Sequence, residues 1–248
     1  MQTHEMREET FTVTSFESDF TGRMALSSLF DRFQDIAGLH ATHLDVGFEK
    51  LRESGVAWML SRIRVKIERL PKWGETVTLR TWPKGIDRLF ALRDFRLENE
   101  AGELLSLATT CWLLVDIQKG RPRRIESLNV DLMFPNAEQA IGEVPDKISV
   151  PGSLKPVYEK QILVSELDVN EHVNNAHYVR WVVDCFDAAR LRSHEVKTIQ
   201  LNYLEQVLYG DRVEVSMSWD SEIPNAHYVE GTNRNSGAKV FQALVEWK

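Results

Sequence analysis

Only two cysteines occur among 248 residues, and positive charge is not in excess. No apolar run approaches the ~18 residues of a membrane-spanning helix. Cys111 and Cys185 stand too far apart to read as a zinc ligand pair, so free thiols in a reducing, cytoplasmic setting are the simpler expectation. The net charge of −7 argues against a general nucleic-acid binder. There is no P-loop and no dinucleotide-binding glycine fingerprint. His4, His40, His43, His177, His194 and His227 fall in no convincing metal-ligand spacing, so neither a metal nor a cofactor is expected. The opening residues, Met1 to Thr10, are polar and acidic, without the apolar stretch of a signal peptide or the Arg/Ser-rich character of a transit peptide. What remains is an ordinary globular composition, 43% hydrophobic and 27% charged, with enough apolar mass for one large core or two small ones.

The periodicity alternates between two kinds of element. Residues 11–17 read as a strand, and 25–53 as helical, with Leu26, Leu29, Phe30, Phe33, Ile36 and Ala37 on one face, an interruption at Gly38 and an end at Gly55. Strands follow at 56–69, 76–82, 89–97 and 104–115, with breaks at Pro71–Gly74 and Pro83–Gly85 and a hairpin loop at 98–103. Residues 116–126 form a basic turn. Residues 135–156 carry four prolines and two glycines and read as a linker. A strand at 157–164, a helix at 174–192 and strands at 197–207, 211–219, 227–232 and 239–247 complete the chain.

The second half repeats the order of the first. Gly74 and Gly210 are 136 positions apart, each before an acid and a strand. Gly102 and Gly237, Ala108 and Ala243, and Trp112 and Trp247 are each 135 apart. Two copies of one α+β unit follow, residues 1–134 and 157–248, each a long helix wrapped by an antiparallel sheet. That is the unit order of the hotdog fold, here in tandem.

One stretch differs in kind: Leu167-Asp-Val-Asn-Glu-His-Val-Asn-Asn-Ala-His-Tyr178. Read as extended, it projects Asp168, Asn170 and His172 the same way just before a helix. Backbone N–H groups at the helix start, those of Val173 and Asn174 among them, are expected to point outward without internal partners. A histidine beside such donors suits attack on a carbonyl: His172 takes a proton from water or orients it, Asn170 fixes substrate or water, and free N–H groups hold the oxyanion. Asp168 sets the histidine tautomer or helps polarise water. An offset of 149 places Asp19, Thr21 and Arg23 opposite these three, so the first copy keeps only the aspartate. A packing role would require all three residues in both copies, and the asymmetry favours chemistry at one site per chain.

These residues give the sequence its resemblance. It is similar to the acyl-acyl-carrier-protein thioesterase family, which includes plant fatty-acyl enzymes and bacterial relatives. Leu167 to Trp181 resembles the catalytic segment of that family, supported by Trp58-Met-Leu-Ser-Arg-Ile-Arg-Val65, Pro71-Lys-Trp-Gly-Glu75, Leu201-Asn-Tyr203 and Tyr209-Gly-Asp211. The resemblance implies a double hotdog with chemistry in the second half and an acyl tunnel in the first. It implies hydrolysis of fatty acyl thioesters on carrier-protein phosphopantetheine, with Asp168, Asn170 and His172 in the family's roles. The family's glutamate falls on Gln206 here, with Glu205 beside it, and a glutamine orients water but is no general base. Plant members carry a cysteine where this chain has Val207, which excludes cysteine catalysis there.

Leu29, Phe33, Trp58 and Met59 are the candidates to line the acyl tunnel. Arg121, Arg123 and Arg124, in the densest basic run, are the candidates to dock an acidic carrier protein. Cys185 lies on the apolar helix stripe and reads as core. Two alternatives stay open: an acyl-CoA thioesterase on the same fold, and a non-catalytic acyl-binding protein. No membrane span is expected, and both a monomer (an internal pseudo-dimer) and a homodimer are allowed.

Overall fold

The computed structural model describes residues 6–128, 138–149, 153–218 and 225–248. They group into two compact units, residues 1–24 with 31–145 and residues 25–30 with 146–248. The division falls at 145/146, inside the stretch expected as a linker.

The first unit begins with β1 (Arg7–Thr12), which precedes the strand expected at 11–17; a 3-10 turn at Ser15–Glu17 takes that place. Helix α1 (Leu26–His43) buries the six apolar residues of the expected stripe. It runs straight through Gly38 and ends instead at a Schellman motif. There the Val46 N–H donates to the Ala41 carbonyl at 2.9 Å and the Asp45 N–H to the Thr42 carbonyl at 3.2 Å. Asp45 takes the left-handed conformation (φ 57°) that glycine usually fills, which is why the end is hidden in the sequence. Gly47 then opens α2 (Phe48–Glu53), and a Cβ there would meet Thr42 Cα at 2.7 Å.

Strands β2 (Val56–Ile67), β3 (Thr76–Asp87), β4 (Phe90–Asn99), β5 (Leu104–Asp116) and β6 (Arg121–Arg123) follow. Strand β3 does not stop at Pro83. A bulge between Pro83 and Gly85 absorbs the missing donor, and pairing with β4 continues to Asp87↔Phe90. The antiparallel order is β1-β3-β4-β5-β2, with β6 on β5.

The second unit has β7 (Lys155–Gln161), then α3 (Asn175–Val183) and α4 (Ala188–Ser193) in place of the single helix expected at 174–192. The chain breaks there because Asp187 caps a new helix, its Oδ1 accepting the Arg190 N–H at 2.8 Å. Strands β8 (Val196–Tyr203), β9 (Arg212–Met217), β10 (Ala226–Asn233) and β11 (Lys239–Trp247) complete it, in the order β8-β11-β10-β9-β7. Matching strand for strand, this is the order of the first unit. The expected extension of β9 to Trp219 lies outside the described residues, as do linker positions 135–137 and 150–152.

The described part of the linker is fastened to sheet residues. The Trp82 indole donates to the Glu138 carbonyl at 2.6 Å, and Arg62 to the Pro145 carbonyl at 2.9 Å. The Ala140 N–H donates to buried Asp94 at 2.8 Å. Burial pushes the Asp94 carboxyl above the usual range, against the Thr109 hydroxyl and the Lys84 charge that favour its ionised form. Within the second unit, Gln200 donates to the Asp146 carbonyl at 2.6 Å.

The core of the second unit sets Phe241 of β11 edge-on to Tyr178 and beside Trp181 of α3, at 5.6 and 6.1 Å between ring centres. Opposite Phe241 in the ladder is Gly231, where a Cβ would lie 2.2 Å from the phenyl ring. Phe241 is fully buried between those aromatics and has nowhere to retreat. Gly231→Ala is therefore expected to cost about 1–3 kcal/mol by overpacking, read as a lower midpoint of urea unfolding with an unchanged slope.

Candidate active site

Residues 167–173 do not form the extended stretch expected from the sequence. They fold into a tight hairpin loop closed by a Leu167↔Val173 bridge. The Asp168 N–H donates to the His172 carbonyl at 2.7 Å and the Glu171 N–H to the Asp168 carbonyl at 3.0 Å. Glu171 is left-handed, with φ 62°. This is a type I turn followed by a left-handed residue, one of the standard three-residue hairpin connections.

Asp168 holds the loop. Its Oδ1 accepts the N–H groups of Asn170 at 2.8 Å and His172 at 3.3 Å, and its Oδ2 faces the Asn170 amide nitrogen at 3.5 Å. The turn brings the three expected residues together through backbone bonds. The described bonds of this carboxylate go to its own loop, and none goes to the His172 ring.

The first unit contains the same device. The Asp19 N–H donates to the Arg23 carbonyl at 2.7 Å and the Gly22 N–H to the Asp19 carbonyl at 3.0 Å. Asp19 Oδ1 accepts the Thr21 N–H at 2.7 Å. Gly22 (φ 76°) occupies the left-handed position that Glu171 fills in the second copy. The aspartate is thus common to both loops because both loops need closing. Asn170 and His172, replaced by Thr21 and Arg23, are not required by the backbone.

The loop is docked on the strand-like stretch 206–208. His172 bridges Leu208, and the Val173 N–H donates to the Val207 carbonyl at 3.0 Å. This antiparallel register puts Gln206 opposite Asn174, on the face that carries His172, with Glu205 and Val207 on the other. Val207 is fully buried, and Gln206 is exposed. The register thereby favours Gln206 over Glu205 as the side chain next to His172. Burial pushes the Tyr178 phenol well above its ordinary range, with the Val207 N–H acting in the opposite sense.

The expected free N–H groups are not free. The Val173 donor is spent on Val207, and the Asn174 donor goes to the Glu166 carbonyl at 2.9 Å. The Asn174 side chain caps α3, accepting the Ala176 N–H at 2.9 Å, and its carbonyl accepts the His177 N–H at 2.9 Å. The Val173 and Asn174 N–H groups therefore serve the loop and the helix start, and the register puts His172 and Gln206 on one face.

Sequence reasoning missed the supports behind the loop. Asp211 Oδ2 accepts the Leu208 N–H at 3.0 Å and the Asn233 amide at 3.0 Å, while Oδ1 accepts the Asn235 amide at 3.1 Å. Glu75, 136 positions earlier, does the same for the Lys72 N–H at 2.9 Å, so the repeat itself carried the signal. Glu166 is buried beneath the loop with Lys160 Nζ at 3.2 Å and His177 Nδ1 at 3.7 Å. Burial first, and the Arg180 charge next, hold the His177 imidazole below its usual pKa.

The other candidates are scattered. Leu29 and Phe33 are buried, Phe33 against Phe95 at 4.8 Å. The Trp58 indole donates to the Val46 carbonyl at 3.0 Å and packs on the cluster around Leu44, Leu51 and Ile125. Met59 follows it on the strand, faces the other way and is 36% exposed, so the two do not line one surface. Arg121 and Arg123 share a face of β6, exposed, with Arg123 Nε 3.7 Å from Asp116; Arg124 is exposed just beyond. Cys185 is buried, as expected, and burial pushes its thiol up to about 12.

Comparison with known proteins decides the family. The acyl-ACP thioesterase N-terminal domain model matches residues 4–132, and the C-terminal domain model matches 157–248. The chain belongs to the acyl-ACP thioesterase family. Among curated relatives it is 26% identical to the palmitoyl-acyl carrier protein thioesterase of Gossypium hirsutum, over 97% of this chain and 63% of that protein. It is 26% identical to oleoyl-acyl carrier protein thioesterase 2 of Arabidopsis thaliana, over 91% of this chain and 66% of that protein. The chain thus spans just under two thirds of the length of these relatives. Among solved structures, an acyl-ACP thioesterase from Bacteroides thetaiotaomicron superposes with a TM-score of 0.89 at 24% identity, covering 98% of each chain. The 12:0-ACP thioesterase of Umbellularia californica gives 0.85 at 20% identity, covering 100% of this chain and 98% of that one. The tandem hotdog fold expected from the repeat is shared with them. Among the described residues, no helix is long and apolar enough to cross a membrane.

The mismatch of Gly22 and Glu171 yields a paired prediction. A left-handed conformation costs a non-glycine residue roughly 1–2 kcal/mol, partly offset by the entropy that glycine adds to the unfolded chain. Glu171→Gly should therefore stabilise the protein by about 0.5–1 kcal/mol, and Gly22→Ala should destabilise it by a similar or larger amount. Thermal unfolding of the two variants checks both signs.

Proposed function

We propose that this chain hydrolyses the thioester joining a fatty acyl chain to the phosphopantetheine of acyl carrier protein, releasing the free fatty acid. One observation supports this above others: two hairpins of the same backbone design differ in carrying Asn170 and His172 in one and Thr21 and Arg23 in the other. Residues that a loop does not need for its shape are available for chemistry.

In this reading His172 accepts a proton from a water molecule as the water oxygen adds to the thioester carbonyl carbon. The carbon–sulfur bond then breaks, and the proton passes to the departing pantetheine sulfur. Asn170 and Gln206 hold water and carbonyl oxygen through their amides. Asp168 acts as a positioning residue, since its described bonds go to the loop backbone. Burying a hydrocarbon chain yields roughly 0.8 kcal/mol per methylene, so the acyl chain supplies most of the binding. Leu29 and Phe33 remain its proposed contacts, Trp58 serves the packing cluster, and Met59 faces elsewhere.

Gln206 in place of the family's glutamate favours a second reading, an acyl-binding protein that does not turn over. The two separate cleanly. If the chain is a hydrolase, His172→Ala lowers kcat/KM on acyl-carrier substrates by about 10²–10⁴-fold with the fold intact, and Asn170→Ala lowers it too. A wild-type protein that binds acyl-carrier substrate and releases no acid refutes the hydrolytic reading. Comparing kcat/KM for acyl-carrier and acyl-CoA substrates separates the carrier-protein reading from an acyl-CoA thioesterase.

The exposed arginines 121, 123 and 124 are proposed to meet the acidic carrier. Replacing all three with alanine should raise KM for acyl-carrier substrates and flatten its salt dependence, while sparing hydrolysis of a small acyl thioester. An unchanged KM would remove them from the docking surface.

A further inference from the structure

Four side chains of the second unit gather away from the His172 loop: Phe186 just before α4, Arg190 on α4, His227 at the start of β10 and Trp247 at the end of β11. Phe186 stands edge-on to Trp247 at 4.8 Å and to His227 at 5.3 Å, and His227 and Trp247 are 6.4 Å apart. The Arg190 guanidinium carbon lies 4.9 Å from the centre of the Trp247 ring. Trp247 is 4% exposed; Phe186, Arg190 and His227 are half-buried, so the cluster reaches the surface.

Three nitrogens here, Arg190 Nε, His227 Nδ1 and Trp247 Nε1, are shielded from solvent and lack any hydrogen-bond partner. Nine buried side-chain polar atoms are in that condition among the described residues, and a third of them meet in this one cluster. A buried polar group left unpaired is costly, so their coincidence points to a missing acceptor. The donor set specifies that acceptor. Arginine Nε and indole nitrogen only donate, and a neutral histidine nitrogen donates in one tautomer. The group carries one fixed positive charge, and with His227 in its Nδ1–H tautomer all three nitrogens donate, which is the complement of an oxyanion. Burial, and then the Arg190 charge, lower the His227 pKa, which favours the neutral ring and leaves Arg190 as the fixed charge of the site. The walls are aromatic, which suits an anion with an apolar substituent better than a fully hydrated one.

We propose that Arg190, His227 and Trp247 form a binding site for a carboxylate attached to an apolar group, sharing no residue with the His172 loop. A fatty acid is one such molecule, but the inference rests on the donor set and does not depend on the proposed hydrolysis.

The test uses the full chain labelled with ¹⁵N. The Trp247 indole signal is assigned by its loss in Trp247→Phe. Sodium benzoate, sodium acetate and inorganic phosphate are titrated separately into the wild type and into His172→Ala. Benzoate is expected to move the Trp247 indole signal saturably in both proteins, with acetate weaker. Arg190→Gln should weaken the response by about tenfold or more. Arg190→Lys keeps the charge but loses the Nε donor, and serves if the glutamine variant fails to fold; it too should bind benzoate more weakly. No movement with either carboxylate means the donors hold only ordered water, and the proposal fails. A response to phosphate alone overturns the assignment to a carboxylate. A response lost in His172→Ala places the ligand at the other site and also overturns it.

Discussion

Asp168 spends its carboxylate on the N–H groups of Asn170 and His172, and this self-closure fixes where the side chains of the loop point. An Asp at the first position of a type I turn is a strong local preference, since the short carboxylate reaches the donors two residues on. The closed loop then pairs through Val173 with Val207, which presents Gln206 on the face of His172. Asp211 fixes the opposing stretch through Leu208, and the buried Glu166 supports the loop from below. Each step fixes a backbone N–H, on a main-chain carbonyl or on a short aspartate side chain, so the geometry of the loop depends little on long flexible side chains.

The first unit shows what this architecture costs and what it does not. Asp19, Gly22, Glu17 and Glu75 reproduce the closure, the left-handed residue, the buried acid and the strand anchor. Burial alone would raise the Glu17 carboxyl, yet Arg32 at 2.7 Å and the Thr14 donors hold it below its ordinary range. The second unit gives Glu166 a lysine and a histidine in the corresponding place. The helices also diverge: α1 has 18 residues and α3 only 9, which takes the offset from 149 before the helix to 140 at the starts of β2 and β8.

The resemblance to the family sets a glutamate where this chain has Gln206. The glutamate position carries a neutral amide, Gln206, while a carboxylate occupies the strained tip at Glu171. The Val173 and Asn174 N–H groups are spent on the Val207 and Glu166 carbonyls, so the proposed mechanism assigns the developing oxyanion to side-chain amides.

The repeat, the succession of elements along each copy and the segment holding Asp168, Asn170 and His172 were legible in the sequence, because alternation, helical spacing and turn chemistry are local properties. It misplaced the end of α1, the break before α4 and the stop of β3. Asp45, a non-glycine residue, ends α1; Asp187 opens a new helix with no glycine or proline to mark the break; and a bulge carries β3 past the proline expected to stop it. The folded chain added that the loop is a hairpin, that the Val173 and Asn174 N–H groups are occupied, and that His172 pairs with the stretch holding Gln206. The hairpin closes through bonds a few residues apart that override alternation, and the pairing of Val173 with Val207 joins segments more than thirty residues apart, which leaves no periodic trace along the chain.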